Sequence, residues 1–190
     1  MLSNSAAFVE IGNLIHIYGK AAGEEIAPVA HEGFEVGIGM GRLAIALEGK
    51  TLYALSPLRE LMRAVAESLR TLAQKDPDVG DLRVITDHLR SIGALIQEGV
   101  KPGNKQQAFI LRKLIRSLLE KVWLFAERAV PLAGVVTAVA ELDFPQHSAL
   151  VAEVISQEER IFQETLERGR TLLAKNPSLL PEVLKSTYGI

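Results

Sequence analysis

Three alternating glycines precede an arginine in the segment GIGMGRL, between an apolar run and a short helical pattern. Gly37, Gly39 and Gly41 carry no Cβ, so the backbone could approach a bound ligand closely. Arg42 carries a permanent charge on a planar guanidinium that can donate to two phosphate oxygens. The spacing is neither that of a dinucleotide-binding turn nor that of a Walker loop. The segment is therefore either a phosphate site or a tight strand-to-helix turn.

A second candidate site is the basic segment from Gly99 to Lys121, in which six basic residues and the one acidic residue Glu120 give a net charge of +5. On a helix, at about 100° per residue, Lys105, Arg112 and Arg116 share a narrow arc opposite the apolar positions. Such a stripe can bind regularly spaced phosphates, because counterion release supplies affinity. A solvated helix face without a partner is the alternative. The stripe hypothesis requires that this helix is not interior and that neighbouring carboxylates do not offset its charges.

The elements that must position these residues differ between the two parts of the chain. Apolar, strand-like runs at about 8–18, 25–29 and 34–38 are separated by glycine-rich turns. After residue 50 the helical period dominates. We predict an α+β fold, mostly α, with a small antiparallel sheet of about three strands at 1–50 and a helical domain at 51–190. Ser56 and Asp81 are predicted N-caps, and the helices are expected at about 42–47, 56–73, 83–98, 105–129, 131–140, 145–174 and from 181.

The composition of the 190-residue chain excludes several classes of protein. It has 48% hydrophobic residues and a formal net charge of −2, which is not the composition of a disordered protein. No apolar run approaches ~18 residues, so we expect no membrane span. The absence of cysteine excludes disulfides and thiolate zinc sites, and the four histidines show no metal-ligand spacing. The N-terminus lacks a signal-peptide pattern, and a cytoplasmic location is expected.

Several segments, taken in order, resemble the alanyl-tRNA synthetase family of class II aminoacyl-tRNA synthetases. They span almost the whole chain: EIGNLIHIY at 10–18, FEVGIGMGRL at 34–43, LRVITDHLR at 82–90, EGVKPGNKQQAFILRKLIRS at 98–117, EERIFQETLERG at 158–169 and STYGI at 186–190. The second segment is in register with the family's motif 3. The resemblance implies the last strands of a catalytic sheet, followed by the helical domain that recognises the tRNA acceptor stem. The family's motifs 1 and 2 have no match in this chain.

The resemblance also implies roles for residues of the sheet. Arg42 matches the motif 3 arginine that binds the γ-phosphate of ATP, in a turn that contains Gly37 and Gly39. The alternative for Arg42 is an ion pair with a neighbour such as Glu35. Asn13 and Glu35 fall at amino-acid-binding positions, where Glu35 replaces an aspartate that holds the substrate ammonium group.

The implied RNA contacts lie in the helical part. Asn104 matches the asparagine that reads a G·U pair in the acceptor stem; the alternative is that it caps the following helix. The predicted RNA-binding residues are Lys101, Asn104, Lys105, Arg112, Lys113 and Arg116. At several functional positions the chain departs from the family pattern: Gly12 replaces a pocket tryptophan, Gly41 replaces a glutamate, and Ser186 replaces the aspartate that acts with the asparagine. Such departures are typical of a paralogue that kept the fold and lost or changed the chemistry.

Three functions follow as hypotheses. The chain is a tRNA-binding synthetase-like protein or subunit that cannot activate amino acids alone, with no catalytic residue of its own. Alternatively, it is one chain of a split ligase that forms an aminoacyl-adenylate and binds ATP and Mg²⁺ only with a partner. The third hypothesis is a regulatory paralogue that binds a protein. Because so small a sheet exposes its edges and apolar surface, we expect self-association or a second polypeptide that carries motifs 1 and 2.

Overall fold

The computed structural model describes residues 10–175, except for the side chain of Ala22. The predicted helix from 181 and the position of Ser186 lie outside the described residues. The elements are β1 (Gly12–Ala22), β2 (Glu25–Ile38), α1 (Met40–Glu48), a 3-10 turn (Leu52–Ala54), α2 (Leu58–Ala73), α3 (Val79–Gln97), α4 (Gln106–Ala126), α5 (Ala133–Asp143) and α6 (Ser148–Lys175). This order confirms the α+β, mostly α prediction. The contacts divide the chain into two compact units between Arg59 and Glu60, here called the sheet unit and the helical unit.

The sheet has two antiparallel strands in the described part of the chain, so the prediction of about three is wrong. The two runs expected at 25–29 and 34–38 belong to the single strand β2. A register shift between Ile17 and Gly19 of β1 accommodates the irregular stretch that separates the two runs. The strands turn at Gly23, whose φ of 68° lies in the left-handed region that favours a residue without a Cβ.

Alternation along the ladder gives it two different faces. Cross-strand pairs such as Leu14 with Val36 and His16 with Phe34 lie on one face, and pairs such as Ile15 with Glu35 lie on the other. The apolar face comprises Leu14, His16, Tyr18, Phe34, Val36 and Ile38. The glycine face comprises Asn13, Ile15, Ile17, Gly33, Glu35 and Gly37. Apart from Ala22, whose side chain is not described, no residue from 10 to 54 is buried. The described residues of the sheet unit therefore form almost no core of their own.

The helical unit has a continuous apolar core. The buried positions of α4 recur at helical spacing, as the sequence predicts, and Leu111, Ile115 and Leu118 have no exposed surface. Residues of α2, α3, α5 and α6 complete the core, with Leu69, Ile92, Val135 and Ile155 at most 1% exposed. In the described part of the chain, no helix has both the length and the apolar composition that crossing a membrane requires.

Several helix boundaries differ from the predictions for local reasons. Asp78, not Asp81, is the N-cap of α3, because its carboxylate accepts a hydrogen bond from the backbone N–H of Gly80 at 2.7 Å. The helix α2 begins at Leu58, since Ser56 lies in the preceding turn. The helix α4 ends at Ala126 because Glu127 adopts a left-handed conformation with φ of 58°.

Candidate nucleic-acid and nucleotide sites

A groove of about 1500 Å³ runs between α4 and the C-terminal half of α6. It brings together four of the six predicted RNA-binding residues, which are Asn104, Arg112, Lys113 and Arg116. Lys101 and Lys105 are exposed but do not line the groove. The aromatic residues Trp123 and Phe162 also line it, one from each helix. The helical period thus predicted the α4 side of this site, but not the α6 side.

Arg112 does not meet the requirement of the stripe hypothesis. Its Nη2 lies 3.1 Å from Oε1 of Glu158, and its Nε donates to the same oxygen at 3.3 Å. The Glu158 side chain is only 5% exposed. The Nη1 of Arg112 donates to Oδ1 of Asn104. Because α6 packs against α4 and presents the buried carboxylate of Glu158, the charge of Arg112 is offset. Arg112 therefore links Asn104 and α4 to α6 and is not a free cation.

Lys113 and Arg116 retain uncompensated charge in the groove. Lys113 is exposed, whereas Arg116 is half-buried with its guanidinium carbon 5.7 Å from the centre of the Phe162 ring. The Nε of Arg116 is buried without a hydrogen-bond partner. Within residues 10–175, neither side chain forms an ion pair with a carboxylate, and the same holds for Lys101 and Lys105. Of the basic segment's residues that line the groove, these two therefore carry charge that no carboxylate offsets, while Arg128 and Glu120 also line it.

Asn104 lies at the N-terminal end of the groove and does not cap α4. The N-cap residue is Lys105, which makes no side-chain capping bond, so the capping alternative is wrong. The contact with Arg112 occupies the Asn104 side-chain oxygen, and the side chain remains exposed. The amide of Asn104 is thus held in a fixed orientation at the mouth of the groove.

Trp123 packs within the helical unit. Its indole N–H donates to the carbonyl of Val130 at 3.0 Å, and its ring stacks on Phe162 with centroids 5.4 Å apart. Only 9% of the residue is exposed. Trp123 therefore packs at the base of the groove and does not present a free ring face to a nucleobase.

Next to Glu158, the carboxylate of Glu159 is also buried on α6. The backbone N–H of Leu132, at the start of α5, donates to its Oε2 over a long 3.4 Å, and its Oε1 has no partner. Burial raises the pKa of Glu159, and the contact with Leu132 opposes that rise only in part. No group of acidic and histidine side chains among residues 10–175 has the geometry to hold a metal ion.

In the sheet unit, Arg42 and Asn13 share one carboxylate. Nη1 of Arg42 lies 3.0 Å from Oε1 of Glu10 and also donates to the Glu10 carbonyl at 3.2 Å. Nδ2 of Asn13 donates to the same Oε1 at 3.2 Å. The ion-pair partner is Glu10 and not Glu35, the neighbour that the sequence suggested. Although Glu10 opens the first matching segment, periodicity gave no sign that it would bridge β1 and α1.

The glycines near the Glu10 carboxylate differ in how much room the surrounding backbone leaves for a side chain. A Cβ at Gly12 would lie 2.8 Å from the carbonyl oxygen of Gly37, so the strands approach too closely there for a side chain. Gly39 is the N-cap position of α1, where a Cβ would be 3.4 Å from the Arg42 side chain. Glu35 shares the glycine face with Asn13, and both side chains are exposed to solvent. The two predicted amino-acid-binding residues therefore share one face, whereas Gly12, opposite Ile38, lies on the other.

Comparison with known proteins shows the family of this chain. The family model for class II (A) tRNA synthetases matches residues 2–186. The chain is 32% identical over 183 residues to an alanine–tRNA ligase of Jannaschia sp. (strain CCS1), and 32% identical over 186 residues to an alanine–tRNA ligase of Cereibacter sphaeroides (strain ATCC 17029 / ATH 2.4.9). Each match covers 92% of this chain and 21% of the relative, so the chain spans about a fifth of their length. The chain belongs to the alanyl-tRNA synthetase family of class II aminoacyl-tRNA synthetases.

Proposed function

We propose that this chain binds the acceptor stem of a tRNA, or an RNA helix of similar shape, along the groove between α4 and α6. The observation that carries the proposal is the convergence of Asn104, Lys113 and Arg116 on that groove. Membership of a family whose relatives are named as alanine–tRNA ligases supports RNA as the ligand class.

The three residues would act in different ways. Lys113 supplies a compact exposed charge for a phosphate, whereas the planar guanidinium of Arg116 can donate to two phosphate oxygens. The minor groove of an RNA helix is wide and shallow and displays base edges and 2′-hydroxyls. Asn104, whose amide NH2 can donate while its oxygen accepts from Arg112, suits contact with an acceptor on such an edge. Arg112 acts indirectly, because it fixes Asn104 and joins α4 to α6.

Fluorescence anisotropy with an acceptor-stem RNA hairpin, measured from about 50 to 200 mM salt, tests the proposal. Lys113→Ala combined with Arg116→Ala should weaken binding and lower the slope of log K against log salt by roughly 1 for each phosphate that is no longer neutralised. Arg63→Ala is the matched control, because Arg63 is an 81% exposed arginine of α2 outside the groove. The proposal fails if the double variant binds as tightly as the unaltered chain, or if Arg63→Ala weakens binding equally. A chain that binds no RNA would favour the regulatory alternative.

A second candidate function is that of one chain in a split ligase, and the shared carboxylate of Glu10 favours it. That carboxylate holds Asn13 and Arg42 together at the edge of the glycine face. ATP would have to draw Arg42 away from Glu10 to reach its guanidinium. We expect no ATP–pyrophosphate exchange by the chain alone. Exchange that appears with a polypeptide carrying motifs 1 and 2, and is lost with Arg42→Ala, would establish this function. Exchange by the chain alone would overturn the proposal that it cannot activate amino acids.

A further inference from the structure

The apolar face of the sheet is a contiguous apolar surface that the described part of the sheet unit leaves exposed. Leu14, Phe34 and Val36 are 70%, 69% and 64% exposed, and Tyr18 and Ile38 are each 57% exposed. The rings on this face are already packed against each other. The His16 and Phe34 rings stack with centroids 4.8 Å apart at 16°, and the His16 and Tyr18 rings lie 5.9 Å apart. A partner would therefore meet a preformed surface.

The size of this face fits an interface. With full residue areas of roughly 150–230 Å², its six side chains expose roughly 700 Å² per chain. Two such faces packed together would bury roughly 1,400 Å², within the range of standard protein interfaces. A monomeric soluble protein seldom leaves so large a contiguous apolar patch in water.

The distribution of charge favours an identical face as the partner. Leu14, Tyr18, Phe34, Val36 and Ile38 carry no charge, so two copies can meet at these positions without like charges facing each other. Glu32 lies in line with Phe34 and Val36 on β2, and its carboxylate is paired with His16 of this face at 2.8 Å. The glycine face, in contrast, would bring Glu35 towards its own copy. We propose that the chain forms a two-fold symmetric dimer in which the apolar faces of two copies pack as a β-sandwich about 10 Å thick.

This arrangement leaves the glycine face, and hence Glu10, Asn13 and Arg42, accessible to ligands. It does not rest on the proposed RNA-binding function, because every residue involved lies in the sheet unit. RNA binding and dimer formation can therefore fail separately.

Site-directed cross-linking of the full chain tests the dimer, and the absence of natural cysteine makes the result simple to interpret. Val36→Cys places a thiol on the apolar face, and Glu35→Cys places one on the opposite face at the adjacent position; both sites are exposed. Under mild oxidation, Val36→Cys should give a disulfide-linked dimer and Glu35→Cys should remain largely monomeric. Equal cross-linking of the two variants, or none with Val36→Cys, would overturn the proposal.

Sedimentation velocity of the unaltered chain over the micromolar range provides the second measurement. We expect a reversible dimer, with an increase of at least about 100-fold in the dissociation constant for Phe34→Lys, because two buried charges would then face each other. Ile15→Lys on the glycine face is the matched control and should leave the dimer intact. A monomeric unaltered chain would overturn the proposal and indicate that another polypeptide, or nothing, covers this face. A dimer that survives Phe34→Lys but dissociates with Ile15→Lys would overturn it in favour of association through the other face or the strand edge.

Discussion

The ion pair between Arg112 and Glu158 leads to a specific prediction about the stability of the helical unit. Arg112→Ala leaves the Glu158 carboxylate, 5% exposed, without its cation. Removing one partner of a fully buried pair costs about 3–5 kcal/mol. Because the Arg112 side chain is itself 23% exposed, water can reach part of the vacated site. We expect a loss of about 2–4 kcal/mol in the free energy of unfolding.

Urea unfolding followed by tryptophan fluorescence measures this loss directly. Trp123 is the only tryptophan of the chain and lies against Phe162, one helical turn from Glu158 on α6. Arg168→Ala is the control, because the ion pair of Arg168 with Glu164 is about 70% exposed on both sides and should contribute less than about 0.5 kcal/mol.

A double replacement separates the unpaired charge from the loss of packing. Arg112→Met with Glu158→Leu removes both charges and keeps similar volume, so it should restore stability to within about 1 kcal/mol of the unaltered chain. If Arg112→Ala instead unfolds at the same urea concentration as the unaltered chain, the pair is not buried as described. If the double variant is as unstable as Arg112→Ala, the destabilisation comes from packing and the electrostatic explanation is wrong.

Two further predictions concern buried positions of the helical unit. Burial raises the pKa of Glu159, so the folded state binds the proton more tightly than the unfolded state and stability should fall as pH rises above the ordinary glutamate range. Glu159→Gln should remove this dependence, and its stability relative to the unaltered chain should grow in urea unfolding as the pH rises above the ordinary glutamate range; a constant difference would contradict the assignment. Gly93→Ala places a methyl group against the Phe144 ring, so overpacking of about 1–3 kcal/mol should exceed the gain in helix propensity and lower the melting temperature. An unchanged or higher melting temperature would show that Phe144 moves aside at little cost.

The sequence predicted the features of this protein that depend on local pattern. The 3.6-residue period located α4 and its buried side, and the glycine turn located the start of α1 near Arg42. The two apolar runs of β2 look like separate strands in the sequence, since a register shift depends on the partner strand and leaves no clear local signal. The pairing of Arg112 with Glu158, 46 residues away, depends on how α6 packs against α4. Periodicity on one helix cannot show which charge the neighbouring helix presents. The same limit applies to Glu10, which reaches Arg42 across 32 residues of chain.

The pairing of Arg112 reduces the number of free cations in the basic segment, and it gives the RNA hypothesis a quantitative test. The sequence counts a net charge of +5 from Gly99 to Lys121, which would predict a steep dependence of RNA affinity on salt. In the structure, Arg112 is offset by Glu158 and Lys121 is bound to Asp81 at 2.9 Å. Lys113 and Arg116 are the two residues of this segment that line the groove without a carboxylate partner, so we expect the segment to contribute a log–log salt slope near about −2. A slope near about −5 would mean that RNA contacts the whole segment and that the groove is not the principal site. A slope near about −2 would instead mean that recognition depends mainly on Asn104, whose orientation is fixed by Arg112.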